Sequence, residues 1–84
     1  MEADLNRITV VFSGIKDPKV TDEIIANATP YPPEVRKVQN NGIVAYVVRG
    51  ILPEVADAMF RDKLSEKNLF DAKVTSTLGN AFDI

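Results

Sequence analysis

The feature that most constrains this chain is an unbroken apolar run near its middle, Ile43-Val44-Ala45-Tyr46-Val47-Val48. Its β-branched and aromatic residues predict a β-strand. A strand with one solvated face alternates apolar and polar residues, whereas a strand covered on both faces is apolar throughout. Residues 8–12 are similar, with Thr9 as their one polar residue. The two segments therefore predict central strands that are buried on both faces.

Capping and helix-breaking residues predict a first helix after residue 20. Thr21 is a suitable N-cap, and the acidic residues that follow it favour the first turn of a helix. Three prolines between residues 30 and 33 end this helix.

A second helix is predicted to begin near Pro53, because proline is well tolerated in a first helical turn. The helical spacing of its apolar residues predicts these buried positions: Leu52, Val55, Ala56, Met59, Phe60 and Leu64. Weaker strands are predicted at 34–38 and 72–75, and a last helical turn at 78–82.

The predicted element order is β-α-β-β-α-β, with a closing helical turn, and two architectures fit it. The first is an α/β fold with a mostly parallel four-stranded sheet, strand order 2-1-3-4, and helices on both faces. The alternative is a ferredoxin-like α+β fold with both helices on one face of an antiparallel sheet. The apolar run at 43–48 favours the parallel sheet, whereas Asn40-Asn41-Gly42 is typical of a hairpin. We expect the parallel sheet.

The amino-acid composition limits the classes of function. At 84 residues the chain is expected to form one domain, residues 1–84. It contains no cysteine and no histidine, so the usual zinc sites and Ser-His or Cys-His catalysis cannot be built. We therefore expect a protein that is not an enzyme and that uses no metal or cofactor.

Charge and hydropathy limit the expected partners and compartment. The net charge is −2 and the ten basic residues are scattered, so nucleic-acid binding by this domain alone is not expected. The lack of cysteine, of a signal peptide and of a long apolar segment predicts an intracellular domain without a membrane partner.

One segment is similar to a known family. Residues 10–17, Val-Val-Phe-Ser-Gly-Ile-Lys-Asp, resemble the opening of a BRCT domain. Residues 20–25 and 43–48 then occupy the places of that family's first helix and of a later strand. Residues 70–82 resemble its last strand and closing helix.

The resemblance implies a parallel sheet covered on both faces and a protein-interaction module of DNA repair, replication or checkpoint proteins, nuclear in a eukaryote. Some members of the family bind phosphopeptides. By that resemblance the Ser13 hydroxyl and the Gly14 N–H would contact a phosphate, and Arg49 or Lys63 would supply positive charge. We expect weak phosphopeptide binding, or docking through a tandem domain or a second copy.

The alternative function is that of an RNA-recognition-motif-like or another ferredoxin-like binding domain. Such a domain stacks bases on aromatic side chains of its sheet. The corresponding positions here are Val11, Ile43 and Ala45, none of which can stack a base. The aromatic residues Phe12, Tyr46 and Phe60 are expected in the core.

Overall fold

The computed structural model describes residues 7–82, and two helices and four strands lie in this part of the chain. In order they are β1 (Arg7–Ser13), α1 (Pro18–Ala28), β2 (Val35–Val38), β3 (Val44–Arg49), α2 (Pro53–Glu66) and β4 (Lys73–Leu78).

The four strands form one sheet in the order β2-β3-β1-β4, and every neighbouring pair is antiparallel. The predicted mostly parallel sheet with order 2-1-3-4 is therefore wrong, and the ferredoxin-like alternative fits. The reason lies in the turn between β2 and β3. Gln39 N donates to Ile43 O over 2.8 Å, and Gly42 has a φ of +80° that suits glycine in a tight turn. The Asn-Gly hairpin signal was thus correct.

Both helices pack on the same face of the sheet, so the predicted helices on both faces are also wrong. Alternate residues of the two central strands join residues of both helices in one core. Its members are Ile8, Val10, Phe12, Ile15, Ile24, Ile25, Val44, Tyr46, Val48, Ala56, Phe60 and Leu64. The expected burial of Phe12, Tyr46 and Phe60 is confirmed. The Phe12 ring lies 5.9 Å from that of Tyr46 and 5.7 Å from that of Phe60, centroid to centroid.

The opposite, outer face of the sheet is also buried at its centre. Thr9, Ala45 and Val47 alternate with the core residues and are nonetheless buried. No helix covers them in the described chain. Residues 79–82, which were predicted to be helical, instead run across this face. These residues contact Thr9 and Lys37, which lie on the strands to either side of Ala45 and Val47.

Helix α1 begins earlier than predicted, with Asp17 rather than Thr21 as its N-cap. The Asp17 carboxylate accepts a hydrogen bond from Lys19 N over 3.0 Å, and Pro18 occupies the first helical turn. Thr21 is buried within the helix, where its hydroxyl donates to Pro18 O.

Helix α2 buries a narrower stripe than predicted. Ala56, Phe60 and Leu64 are buried at four-residue spacing, whereas Leu52 and Val55 are 62% and 48% exposed. A helix that packs on one face of one sheet contacts its neighbours along a single stripe.

A buried phenol connects helix α1 to the sheet. The Tyr46 hydroxyl donates to Asp22 over 2.6 Å and lies 2.7 Å from the Thr21 hydroxyl. Arg36 on β2 donates to both Asp22 oxygens, at 2.8 and 3.0 Å. The guanidinium of Arg36 holds the pKa of the Asp22 carboxyl below its ordinary value. Burial, together with the hydrogen bond to Asp22, raises the pKa of Tyr46 to about 12.

This raised pKa predicts a specific loss of stability at alkaline pH. A phenol with a pKa of 10.0 when unfolded and about 12 when folded contributes stability that is complete below pH 10 and is lost as pH rises through about 12. The difference corresponds to about 3 kcal/mol. We expect the unfolding free energy, measured with urea by circular dichroism, to fall more steeply over this range in the native chain than in Tyr46→Phe. Parallel pH profiles for the two proteins would contradict this role of Tyr46.

Candidate functional site

The residues predicted to bind phosphate do not form one site. Arg49 faces Arg7 in the β1–β3 register, whereas Ser13 is the last residue of β1. The two positions are therefore about 20 Å apart along the sheet. Arg49 instead donates to Glu34 over 3.3 Å and lies 5.8 Å from the Tyr31 ring centroid.

Gly14 and Lys63 have other local roles in the structure. Gly14 has a φ of +72°, and a side chain there would have its Cβ 2.9 Å from the carbonyl oxygen of Asp71. Gly14 therefore allows a close approach between two loops. Lys63 forms an ion pair with Glu66 at 3.6 Å. Ser13 and Gly14 are neighbours in sequence, and their phosphate role stays a prediction.

A concave feature lies between the C-terminal half of α2 and the edge strand β4. It has a cavity volume of about 410 Å³. Its lining residues come from α2, from the connecting loop and from β4, and they are Arg61, Leu64, Ser65, Leu69, Phe70, Ala72, Lys73, Val74 and Thr75.

A second cavity of about 180 Å³ shares part of this lining. It adds Gly14, Lys16, Asn68 and Asp71 to the shared residues Leu69, Phe70 and Ala72. We call the two cavities together the α2–β4 groove. Phe70 contributes to both of them and is 74% exposed, which makes it the most exposed large apolar side chain of the described chain.

The groove carries positive charge that the rest of the described chain does not neutralise. Most of the basic residues between 7 and 82 have ion-pair partners or contact an aromatic ring. Within that range four have neither, namely Lys16, Lys19, Arg61 and Lys73. All of these except Lys19 line the groove, where Asp71 is the one acidic residue. The groove therefore favours anionic groups, although the whole chain has a net charge of −2.

The strand at this groove has an open edge. Gly79 N donates to Arg7 O over 2.7 Å, which fixes the alternation of hydrogen bonds in the β1–β4 ladder. Thr75 and Thr77 therefore bond to β1. Val74 and Ser76 direct their backbone N–H and C=O groups away from it. No strand of the described chain pairs with these groups.

The outer face of the sheet is covered by residues 79–82, which we call the C-terminal strap. Thr9 Oγ1 donates to Gly79 O and accepts from Ala81 N, each over 2.8 Å. The Phe82 ring centroid lies 5.0 Å from Lys37 Nζ. Thr9 is on β1 and Lys37 on β2, so the strap crosses β3, which lies between them.

The residues on the outer face of the sheet are relevant to the alternative function, nucleic-acid binding. The outer-face positions of the four described strands carry no aromatic residue, because the aromatic residues of β1 and β3 point into the core. Of the positions Val11, Ile43 and Ala45, only the first and last lie on paired strands, opposite one another. Ala45 is buried, at 4% exposure. The four described strands therefore present no aromatic side chain on this face on which bases could stack.

Sequence reasoning missed the groove because it contains no motif. Its apolar residues are spread over a helix, a loop and a strand, and they meet only when β4 pairs with β1. The available signal was local. Leu69-Phe70 lies between Asn68 and Asp71, two residues typical of turns, and an aromatic residue in such a loop is a candidate for exposure.

Within residues 7–82, no group of acidic side chains is arranged to hold a metal ion, and neither helix has the length and hydropathy needed to cross a membrane. Comparison of the chain with protein-family models, curated proteins and solved structures found no match.

The strap predicts distinct effects for two phenylalanine substitutions. Phe82→Ala removes the strap's contact with β2, so we expect the amide NMR signals of Ala45 and Val47 to shift and stability to fall by about 1–2 kcal/mol. Phe70→Ala is the matched control. Because Phe70 is exposed, its removal should change stability by less than about 0.5 kcal/mol. Unshifted signals of β3 in Phe82→Ala would show that the strap does not cover this strand.

Proposed function

We propose that this chain is a non-catalytic protein-interaction domain that binds a segment of its partner in the α2–β4 groove. The observation that carries this proposal is the position of Phe70. The side chain stands exposed between two cavities and beside an open sheet edge. An aromatic residue within reach of pockets and unpaired backbone groups is typical of the anchor of a protein interface.

The geometry favours a protein ligand over a small molecule. Small-molecule sites enclose most of the ligand and usually bury the aromatic residues that line them. Here the aromatic side chain is 74% exposed, and the groove continues along the strand edge. A segment of polypeptide can cover Phe70 and also hydrogen-bond to the backbone groups at the open edge of β4, which a compact ligand cannot do.

The chemistry of the groove supports binding without catalysis. Its ionisable side chains are three cations and one carboxylate, so it lacks the paired carboxylates of acid–base catalysis. Ser65 and Thr75 supply hydroxyl groups, but neither is hydrogen-bonded to a base in the described structure. The chain has no histidine or cysteine to supply a general base or a thiol nucleophile.

The similarity of residues 10–17 to BRCT domains agrees with an interaction role, but the proposal does not depend on it. The parallel sheet that the similarity implied is replaced by an antiparallel one. Membership of that family, and the expected place in DNA repair or replication, stay predictions.

Selection from a random peptide library on the purified chain tests the proposal. Peptides selected on the native chain should bind Phe70→Ser at least about tenfold more weakly, because an anchor residue contributes a large share of the binding energy. Leu52→Ser is the matched control. Leu52 is 62% exposed at the other end of α2, so its substitution should leave affinity unchanged. Peptides that bind Phe70→Ser as well as the native chain, or that depend on Leu52, would place the binding surface elsewhere.

A further inference from the structure

We infer that the partner segment is acidic and extended, and that it adds to β4 as a fifth strand of the sheet. This inference rests on the proposed function, since it names the ligand of the same groove. Two independent observations support it: the open hydrogen-bonding edge of β4, and the unpaired cations on both sides of that edge.

The edge supports an extended ligand. Val74 and Ser76 present their backbone N–H and C=O groups outward, and no described strand pairs with them. A row of unpaired backbone groups is a template for a further strand. The groove lies directly beside this row on the helix-facing side, so side chains of an added strand would enter it while its backbone paired with β4.

The charges support an acidic ligand. Lys73 alternates with the core-facing Val74, so its side chain belongs to the outer face of the sheet. Arg61 lies on α2 and therefore on the helix side. An added strand would thus have a cation on each of its two faces, with Lys16 beside the start of β4.

The same charges argue against a second copy of this chain as the ligand. Pairing of two β4 edges would bring two sets of Arg61 and Lys73 together, and like charges at an interface oppose association. The cations have no ion-pair partner in the described chain, so an acidic segment would neutralise them without breaking existing pairs. A different protein with an acidic segment fits this edge better than self-association does.

Three matched peptides test the charge requirement. Each has about six residues, the usual length of a strand. All three have valine at the same positions, and the other positions are glutamate in one peptide, glutamine in the second and lysine in the third. We expect the glutamate peptide to bind at least about tenfold more tightly than the glutamine peptide at low salt, and the lysine peptide not to bind. Binding should weaken with added salt, and amide NMR shifts should concentrate between residues 73 and 78.

Two charge reversals and a matched control identify the cations. Arg61→Glu and Lys73→Glu should each weaken the glutamate peptide about tenfold or more. Lys19→Glu makes the same change at a lysine that has no ion pair in the described chain and does not line the groove. The affinity of this variant for the glutamate peptide should therefore stay within about twofold of the native value.

Ser76→Pro tests the strand addition separately. The Ser76 N–H points away from β1, and its hydroxyl makes no hydrogen bond in the described structure. Proline there removes an edge donor while keeping the bonds to β1. Loss of binding with an otherwise unchanged NMR spectrum supports the inference, and retained binding overturns the added strand.

The outcomes separate this inference from the proposed function. Equal binding of the glutamate and glutamine peptides, with shifts in the groove, would overturn the acidic ligand and leave the interaction role intact. If none of the three peptides binds while library-selected peptides still depend on Phe70, the acidic ligand is likewise overturned and the interaction role stays intact. Failure of both peptide sets would overturn the inference and the proposed function together.

Discussion

The antiparallel pairing of β1 with β3 on one side and β4 on the other is the interaction on which the rest of the structure depends. It places alternate apolar residues of β1 and β3 on one face, where both helices cover them. It also makes β4 an edge strand. The α2–β4 groove exists because α2 packs near this edge and because the loop at 68–72 approaches Gly14 closely.

The same pairing brings the C-terminal strap onto the outer face. The ladder of β1 and β4 extends to the hydrogen bond between Gly79 and Arg7, and the chain then turns across Thr9 towards Lys37. The strap covers the face on which ferredoxin-like domains that bind RNA stack bases. The β4 edge and the groove beside it are not crossed by the strap.

The sequence predicted the burial of the aromatic core residues and of both faces of the central strands correctly, but not the burial of Leu52 and Val55 or what covers the outer face. Phe12, Tyr46 and Phe60 were expected in the core because aromatic residues dominate burial in small domains. The apolar character of Ala45 and Val47 was attributed to a second helix layer, although both helices pack on the other face and a segment more than thirty residues later in the chain contacts the neighbouring Thr9 and Lys37. An apolar pattern indicates that a face is buried, but it does not identify the element that buries it. The local hairpin signal at Asn40-Gly42 was more informative, because turn geometry fixes the direction of the next strand.

The candidate site was less predictable than the fold, for a related reason. Ser13 and Arg49 were combined through a family resemblance, yet the register places them at opposite ends of β1 and β3. The positive charge of the groove depends on which cations have ion-pair partners and which do not. The partners come from distant segments, such as Asp22 for Arg36 and Glu23 for Lys67. Such pairings follow from tertiary structure and cannot be read from sequence spacing.

Amide hydrogen exchange in the free chain tests the open edge of β4 most directly. The account predicts an alternating pattern, in which the amides of Thr75 and Thr77 are protected by their bonds to β1 and those of Val74 and Ser76 exchange rapidly. Protection of Val74 and Ser76 equal to that of their neighbours would show that the edge is already paired, which would contradict the account.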